Sequence, residues 1–199
     1  PDSFEGTLLA GHYTYDDEAV PATRVNIVED GILKNLLASR APTRKTKQST
    51  GHGRSMGLGD ARATFSCMHI LDDNAVSTDE LKQKLIDAAR EEGLEYGLRI
   101  EAMRSGGPGS LGPPIYAYKV SVEDGREELV RGLEFLPVRP RVFKRILASG
   151  SDRKVHNSVV ATVASIVAPA VLFEELELDK FREEFDKLPI LPPPAARGD

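Results

Sequence analysis

Three consecutive carboxylates, Asp16, Asp17 and Glu18, stand inside "YTYDDEAVPATRVNIVEDG", residues 13–31. Side chains of this type can chelate a hard cation through their oxygens, or act as acid and base once burial has retuned one of them. Chelation fits the spacing poorly, because neighbouring strand positions point to opposite faces and no D-x-D-x-D-G loop follows. The expectation is a charged, solvated entry to the strand after it. Cys67 and His69 form a second candidate, two apart on a strand-like run, where they would share a face and offer two soft ligands. Zinc needs three or four donors, no second Cys/His pair has ligand spacing, and His12, His52 and His156 are scattered. Cys67 is therefore expected to be a small buried hydrophobe, and the chain to bind no stoichiometric zinc. No H-E-x-x-H occurs, so hydrolysis lacks its commonest metal scaffold.

The third candidate is "STGHGRSMGLG", residues 49–59, where Ser49, Thr50, His52 and Arg54 lie among glycines. Such a loop can present backbone N–H groups and a guanidinium to an anion, but no G-K-[ST] follows, so it is not a Walker loop. Recognition of a peptide or a partner is the functional reading, since such residues concentrate on loops held by a rigid scaffold.

These candidates need elements to position them. Residues 23–39 give two β-type runs around Asp30-Gly31, a dipeptide suited to a tight hairpin turn. Residues 40–60 lose periodicity and carry Arg40, Arg44, Lys45, Lys47 and Arg54, which predicts a long basic loop; residues 61–71 return to β-type composition. "STDELKQKLIDAAREEG" predicts a helix with Ser77 as N-cap, Glu80 as its capping-box partner, Leu81, Leu85, Ala88 and Ala89 on one face, and Gly93 past the end. Residues 94–104 and 115–134 predict strands, the latter turning at Asp124-Gly125, with a mobile "SGGPGSLGPP" loop between them. "RPRVFKRILASG" reads as a short helix, residues 154–176 as one or two strands, and "LDKFREEFDKL" as a final turn of helix. The elements predict an α+β fold with a mainly antiparallel or mixed sheet, hairpins and a few helices. One domain is expected over residues 1–188, followed by a Pro-rich tail at 189–199 in which Pro192 to Pro194 cannot join a central strand.

Hydrophobic residues at 40%, charged residues at 29% and a net charge of −5 point to an ordinary globular protein, not to a disordered or a generically nucleic-acid-binding one. One cysteine allows no internal disulfide, no apolar run approaches the ~20 residues of a membrane span, and no signal-peptide pattern opens the chain. The expected compartment is the cytoplasm, with no membrane partner. The opening "PDSFEGTLLAG" has no initiator methionine, as a fragment would.

The order "YTYDDEAVPATRVNIVEDGILKNLLASRAPTRK", then "STGHGR", resembles the C-terminal domain of the TldD/PmbA family, also named as proposed modulators of DNA gyrase. Ala19 stands where that family usually has Gly, and His52 where it often has Asn. The likeness continues through the Ser77 helix, "RPRVFKRILASGSDRKV" and "ASIVAPAVLFEELEL". It implies a cytoplasmic, zinc-dependent peptidase system of dimeric, two-domain subunits acting on unfolded peptides. In such a system one subunit carries H-E-x-x-x-H in an N-terminal half and the other, PmbA or TldE, lacks it. The family's third zinc ligand is a Cys late in this domain; here "ASIVAPAVL" contains none and Cys67 lies far upstream, so no metal residue carries over.

The resemblance thus implies a non-catalytic domain for subunit contact and peptide lining, holding no cofactor itself, with zinc possible only in the intact system. Its partners would be a TldD/PmbA-like subunit, as homo- or heterodimer, and an unfolded peptide. Asp16, Asp17, Glu18, Ser49, Thr50, His52 and Arg54 are the residues expected to meet peptide or partner. Two alternatives stay open. The chain could be part of an active zinc metallopeptidase whose H-E-x-x-x-H half lies elsewhere, or a nucleic-acid or gyrase-associated regulator working through Arg40 to Arg54.

Overall fold

The structure, a computed structural model, describes residues 2–55, 59–104, 106, 111–158 and 163–180. In chain order the first strands are β1 (Ser3–Phe4), β2 (Thr7–Leu8), β3 (Val28–Glu29), β4 (Ile32–Leu33), β5 (Gly53–Arg54), β6 (Arg62–Ala63) and β7 (Cys67–His69). The helix α1 (Thr78–Glu91) precedes β8 (Tyr96–Met103), β9 (Pro114–Ser121), β10 (Glu127–Val130) and β11 (Leu133–Phe135). A 3-10 helix at Pro140–Lys144 leads to β12 (Ile146–Ser158), β13 (Ala164–Phe173) and β14 (Leu178–Lys180). The fold is α+β and dominated by sheet, as the sequence predicts.

The chain divides into two compact units: residues up to Leu81 with Ala148–Val171, and Lys82–Leu147 with the residues from Leu172 onward. In the first unit, Asp30 and Gly31 both take positive φ (51° and 73°) and join β3 to β4 in the expected hairpin. β7 runs parallel to β13, with Cys67 opposite Ser165 and His69 opposite Val167, and β12 lies on the other side of β13. Leu9, Ala38, Ala164 and Val167 are buried here, together with Asp16, Ser39, Ser66, Ser149 and Ser165.

In the second unit β8, β9 and β10 form an antiparallel sheet in the order β10-β9-β8, and Gly125 (φ 68°) serves the turn before β10. Its buried side chains are apolar: Ile86 and Ala89 from α1, Ala117 and Val120 from β9, and Leu172. Gly97 leaves room for Leu85, which a Cβ at that position would strike. The ends of α1 are capped as predicted. Ser77 Oγ accepts the N–H of Glu80 at 3.2 Å. Beyond the last turn Gly93 (φ 69°) donates to Arg90 O and Leu94 to Ala89 O, a Schellman closure.

Three predicted elements differ. Residues 40–60 are not loop throughout, because Gly53 and Arg54 pair with Ala63 and Arg62. "RPRVFKRILASG" holds only a 3-10 turn before β12 begins, since Pro140 fixes the first position while Ile146 onward joins a sheet. Leu178–Lys180 is a strand paired with β11, not the start of a helix; partners across a sheet outweighed helical propensity over three residues. The rest of "LDKFREEFDKL", the tail 189–199 and most of the "SGGPGS" loop lie outside the described residues.

Candidate functional site

Asp16 begins the site. Its own N–H donates to Val20 O at 2.9 Å and its carbonyl accepts from Ala19, which makes the acidic triplet a compact turn. Its Oδ1 accepts the backbone N–H groups of Glu18 (3.0 Å) and Val20 (2.8 Å), so the carboxylate closes an Asx-type loop on its own segment. Oδ2 reaches across to the N–H of Gly53 at 2.8 Å, and Gly53 O in return accepts the N–H of Asp17 at 2.9 Å. Only 5% of Asp16 is exposed. The expected solvated strand entry is therefore corrected: Asp16 is buried because three backbone donors replace its water.

The other two carboxylates face the basic loop. Asp17 Oδ2 accepts the N–H of Ser55 at 2.6 Å, and its Oδ1 lies 3.5 Å from Arg54 Nη1. Glu18 Oε2 accepts the N–H of Arg40 at 2.6 Å. Gly53 sits so close beneath Glu18 that a Cβ would run into that carboxylate. Arg54 also lies over the Tyr13 ring, 4.4 Å from its centroid, and Tyr13 donates to Gly51 O at 2.6 Å. Burial pushes the Tyr13 phenol above its ordinary pKa, while the Arg54 guanidinium over the ring works in the opposite direction.

Ser49, Thr50 and His52 complete the loop's inner framework. Thr50 exchanges hydrogen bonds with Ala38 through its backbone and hydroxyl, and Ser49 Oγ donates to the same carbonyl at 3.2 Å. His52 Nδ1 lies 2.8 Å from Thr50 O; a carbonyl only accepts, so Nδ1 is the donor in this contact. Gly51 has φ 71°, and a Cβ there would meet the Pro21 carbonyl. Of the seven residues singled out in the sequence, the acidic triplet and Arg54 meet in one acid-to-loop clasp, while Ser49, Thr50 and His52 bond within the loop and to Ala38. Sequence reasoning missed Tyr13, Arg40 as a backbone donor, and the Gly51 and Gly53 contacts. The one available signal was the pair of glycines flanking His52.

Cys67 and His69 are elsewhere, on β7. Cys67 is half-buried and not the fully buried hydrophobe expected: burial raises its thiol pKa, while a hydrogen bond with the Ser165 side chain acts to lower it. His69 is exposed, stacks edge-on against Phe4 at 6.1 Å, and has its pKa lowered by burial and then by the charge of Arg153. A polar junction lies beside them. Gly11 N–H donates to Ser165 Oγ (2.9 Å), which donates to Asn157 Oδ1 (2.6 Å), and Ser165 N–H donates to Ser66 O. Ser66 Oγ is buried without a hydrogen-bond partner among the described residues. No group of three or more His, Cys, Asp and Glu among the described residues is placed to hold a metal ion.

The fold is shared with known proteins. A family model described as the PmbA/TldA metallopeptidase C-terminal domain matches residues 5–180, which takes in both units. The chain belongs to that family. A metalloprotease of Archaeoglobus fulgidus is 38% identical over 77 residues, covering 39% of this chain and 18% of that protein. Metalloprotease MJ0996 of Methanocaldococcus jannaschii is 47% identical over 49 residues, 24% of this chain and 11% of its own length. Among solved structures, a Thermotoga maritima protein described as a proposed modulator of a DNA gyrase superposes with a TM-score of 0.62 at 22% identity, over 89% of this chain and 38% of that one. TldE from Thermococcus kodakarensis gives 0.61 at 14% identity, over 83% and 36%. At these identities the superpositions show the shared fold. This PmbA/TldA domain thus spans well under half the length of the proteins it matches. No helix among its described residues is long and apolar enough to cross a membrane.

Proposed function

We propose that this PmbA/TldA domain is a non-catalytic module of a TldD/PmbA-like peptidase system, lining the path of an unfolded peptide and contacting a second subunit. The observation that carries the reading is the clasp. The carboxylates of Asp16, Asp17 and Glu18 are directed at their own chain, to Gly53, Ser55, Arg54 and Arg40, so the triplet shapes a loop and holds out no free ligand or acid–base pair. Subunit contact draws support from the β3–β4 hairpin, where Val28, Ile32 and Leu33 are each more than half exposed. Of the basic residues the nucleic-acid alternative would use, Arg54 is engaged by Asp17 and Tyr13.

Metal content and association test the proposal together. Purified without chelator or metal resin, the chain is expected to carry no stoichiometric zinc by mass spectrometry, to show no peptidase activity alone, and to associate with itself or a TldD-like subunit in light scattering. About one zinc per chain, lost in both Cys67→Ser and His69→Ala, would overturn the non-catalytic reading and favour the active-metallopeptidase alternative. DNA binding at low salt that weakens steeply as salt rises would favour the gyrase-associated one.

A further inference from the structure

One cleft of the first unit, with a volume of about 730 Å³, lies between the Asp30-Gly31 hairpin and the basic loop. Arg24, Lys34 and Lys45 line it, and none has an ion-pair partner among the described residues. Some cations elsewhere do find acids: Arg54 meets Asp17, Lys82 and Arg99 share Glu127, Arg90 meets Asp87, and Arg145 meets Glu174 and Glu175. The chain has 31 acidic residues, so acids are not scarce. The one acid on the cleft wall, Glu29, accepts from Asn26 Nδ2 at 2.8 Å. The amide and hydroxyl groups of the wall are likewise satisfied at home. Asn35 Nδ2 donates to Asn26 O, Thr46 Oγ1 pairs with Thr43 Oγ1, and Thr50 bonds with Ala38.

Three unspent cations are therefore the recognition chemistry that this wall has left over. Leu33 and Leu36 lie among them, 60% and 45% exposed. Unpaired cations interleaved with exposed leucines complement a strand in which carboxylates alternate with apolar side chains. A two-stranded hairpin also leaves outer backbone groups to which an extended chain can add. The wall holds no aromatic ring on which a base could stack, which favours peptide over single-stranded nucleic acid.

We propose that this cleft selects acidic segments of the extended peptide, with Arg24, Lys34 and Lys45 receiving its carboxylates. The inference rests on the peptide-lining reading and adds charge selectivity to it. The test is fluorescence anisotropy of the full chain with labelled peptides of equal length, built of Glu-Leu, Gln-Leu or Lys-Leu repeats, and with a single-stranded oligonucleotide of matched charge. The Glu-Leu peptide is expected to bind about tenfold more tightly than the Gln-Leu one, with the gap closing as salt rises. Lys34→Met with Lys45→Met keeps the apolar stems and removes two of the three cations, and is expected to narrow the gap to that which Arg24 alone sustains; an undiminished gap would overturn the assignment of the carboxylates to this wall. Equal binding of Glu-Leu and Gln-Leu peptides to the wild type would overturn the acid selectivity and leave the lining reading standing. No binding of any peptide would remove both. Tighter binding of the oligonucleotide than of the Glu-Leu peptide would also overturn the inference, and make nucleic acid the occupant.

Discussion

Asp30-Gly31 and Asp124-Gly125 are the same dipeptide between β-type runs, yet the strands around them differ. At Asp30-Gly31 the hairpin is two residues to a side, and Val28, Glu29, Ile32 and Leu33 are all exposed. At Asp124-Gly125 four registered pairs join β9 to β10, and Ala117 and Val120 of β9 are buried. A turn dipeptide sets where the chain reverses, whereas a buried face sets how far the ladder runs. The contrast extends to the units themselves. Every buried polar side chain among the described residues lies in the first unit, and the buried side chains of the second are apolar. The clasp of the first unit is thus held by hydrogen bonds to one carboxylate, whereas the second unit buries apolar side chains of its helix and sheet.

The hardest test of that difference removes the carboxylate. Asp16→Ala strands the N–H groups of Glu18, Val20 and Gly53, and is expected to cost on the order of 3 kcal/mol in chemical denaturation. Amide exchange should quicken across residues 13–55 while residues 96–130 keep their protection. A uniform loss in both regions would show that the clasp is not locally organised. Val120→Ala is the mirror experiment. Val120 is fully buried, so the cavity should cost about 2 kcal/mol, with exchange quickening in β8 to β10 and not in the clasp.

Ala19→Gly sharpens the comparison with the opposite sign. Ala19 has φ 60°, a left-handed conformation that costs a non-glycine residue about 1–2 kcal/mol, partly offset by the greater freedom glycine has when unfolded. The substitution should raise stability by up to about 1 kcal/mol in denaturation, and a loss would mean that the Ala19 methyl makes a contact the turn needs. The smallest effect is on the surface of the second unit. Hydrogen bonds from Lys82 and then Arg99 hold Glu127 below its ordinary pKa of 4.5. A lowered carboxylate adds stability above that ordinary value and loses it as pH falls through the folded one. Glu127→Gln should flatten this acid limb by less than about 1 kcal/mol, since the pair is partly exposed and screened. An unchanged pH profile would assign the limb to other carboxylates.

What the sequence by itself determined is what short-range chemistry controls: both Asp-Gly turns, the caps of α1 at Ser77 and Gly93, the α+β class, and the membership that the order of its motifs carries. It also named the acidic triplet and Arg54, but not Tyr13, Gly53 or the Arg40 N–H that they meet. Their arrangement was not legible, because Asp16 meets Gly53 across 37 positions and Glu18 meets Arg40 across 22. Periodicity reports which face of an element is buried, not which distant N–H a carboxylate will find. Burial of Asp16, the half-burial of Cys67 beside Ser165, and the pairing of Leu178–Lys180 with β11 were decided by the tertiary structure alone. In each case a partner far along the chain supplied the hydrogen bond or the packing surface that overrode the local preference.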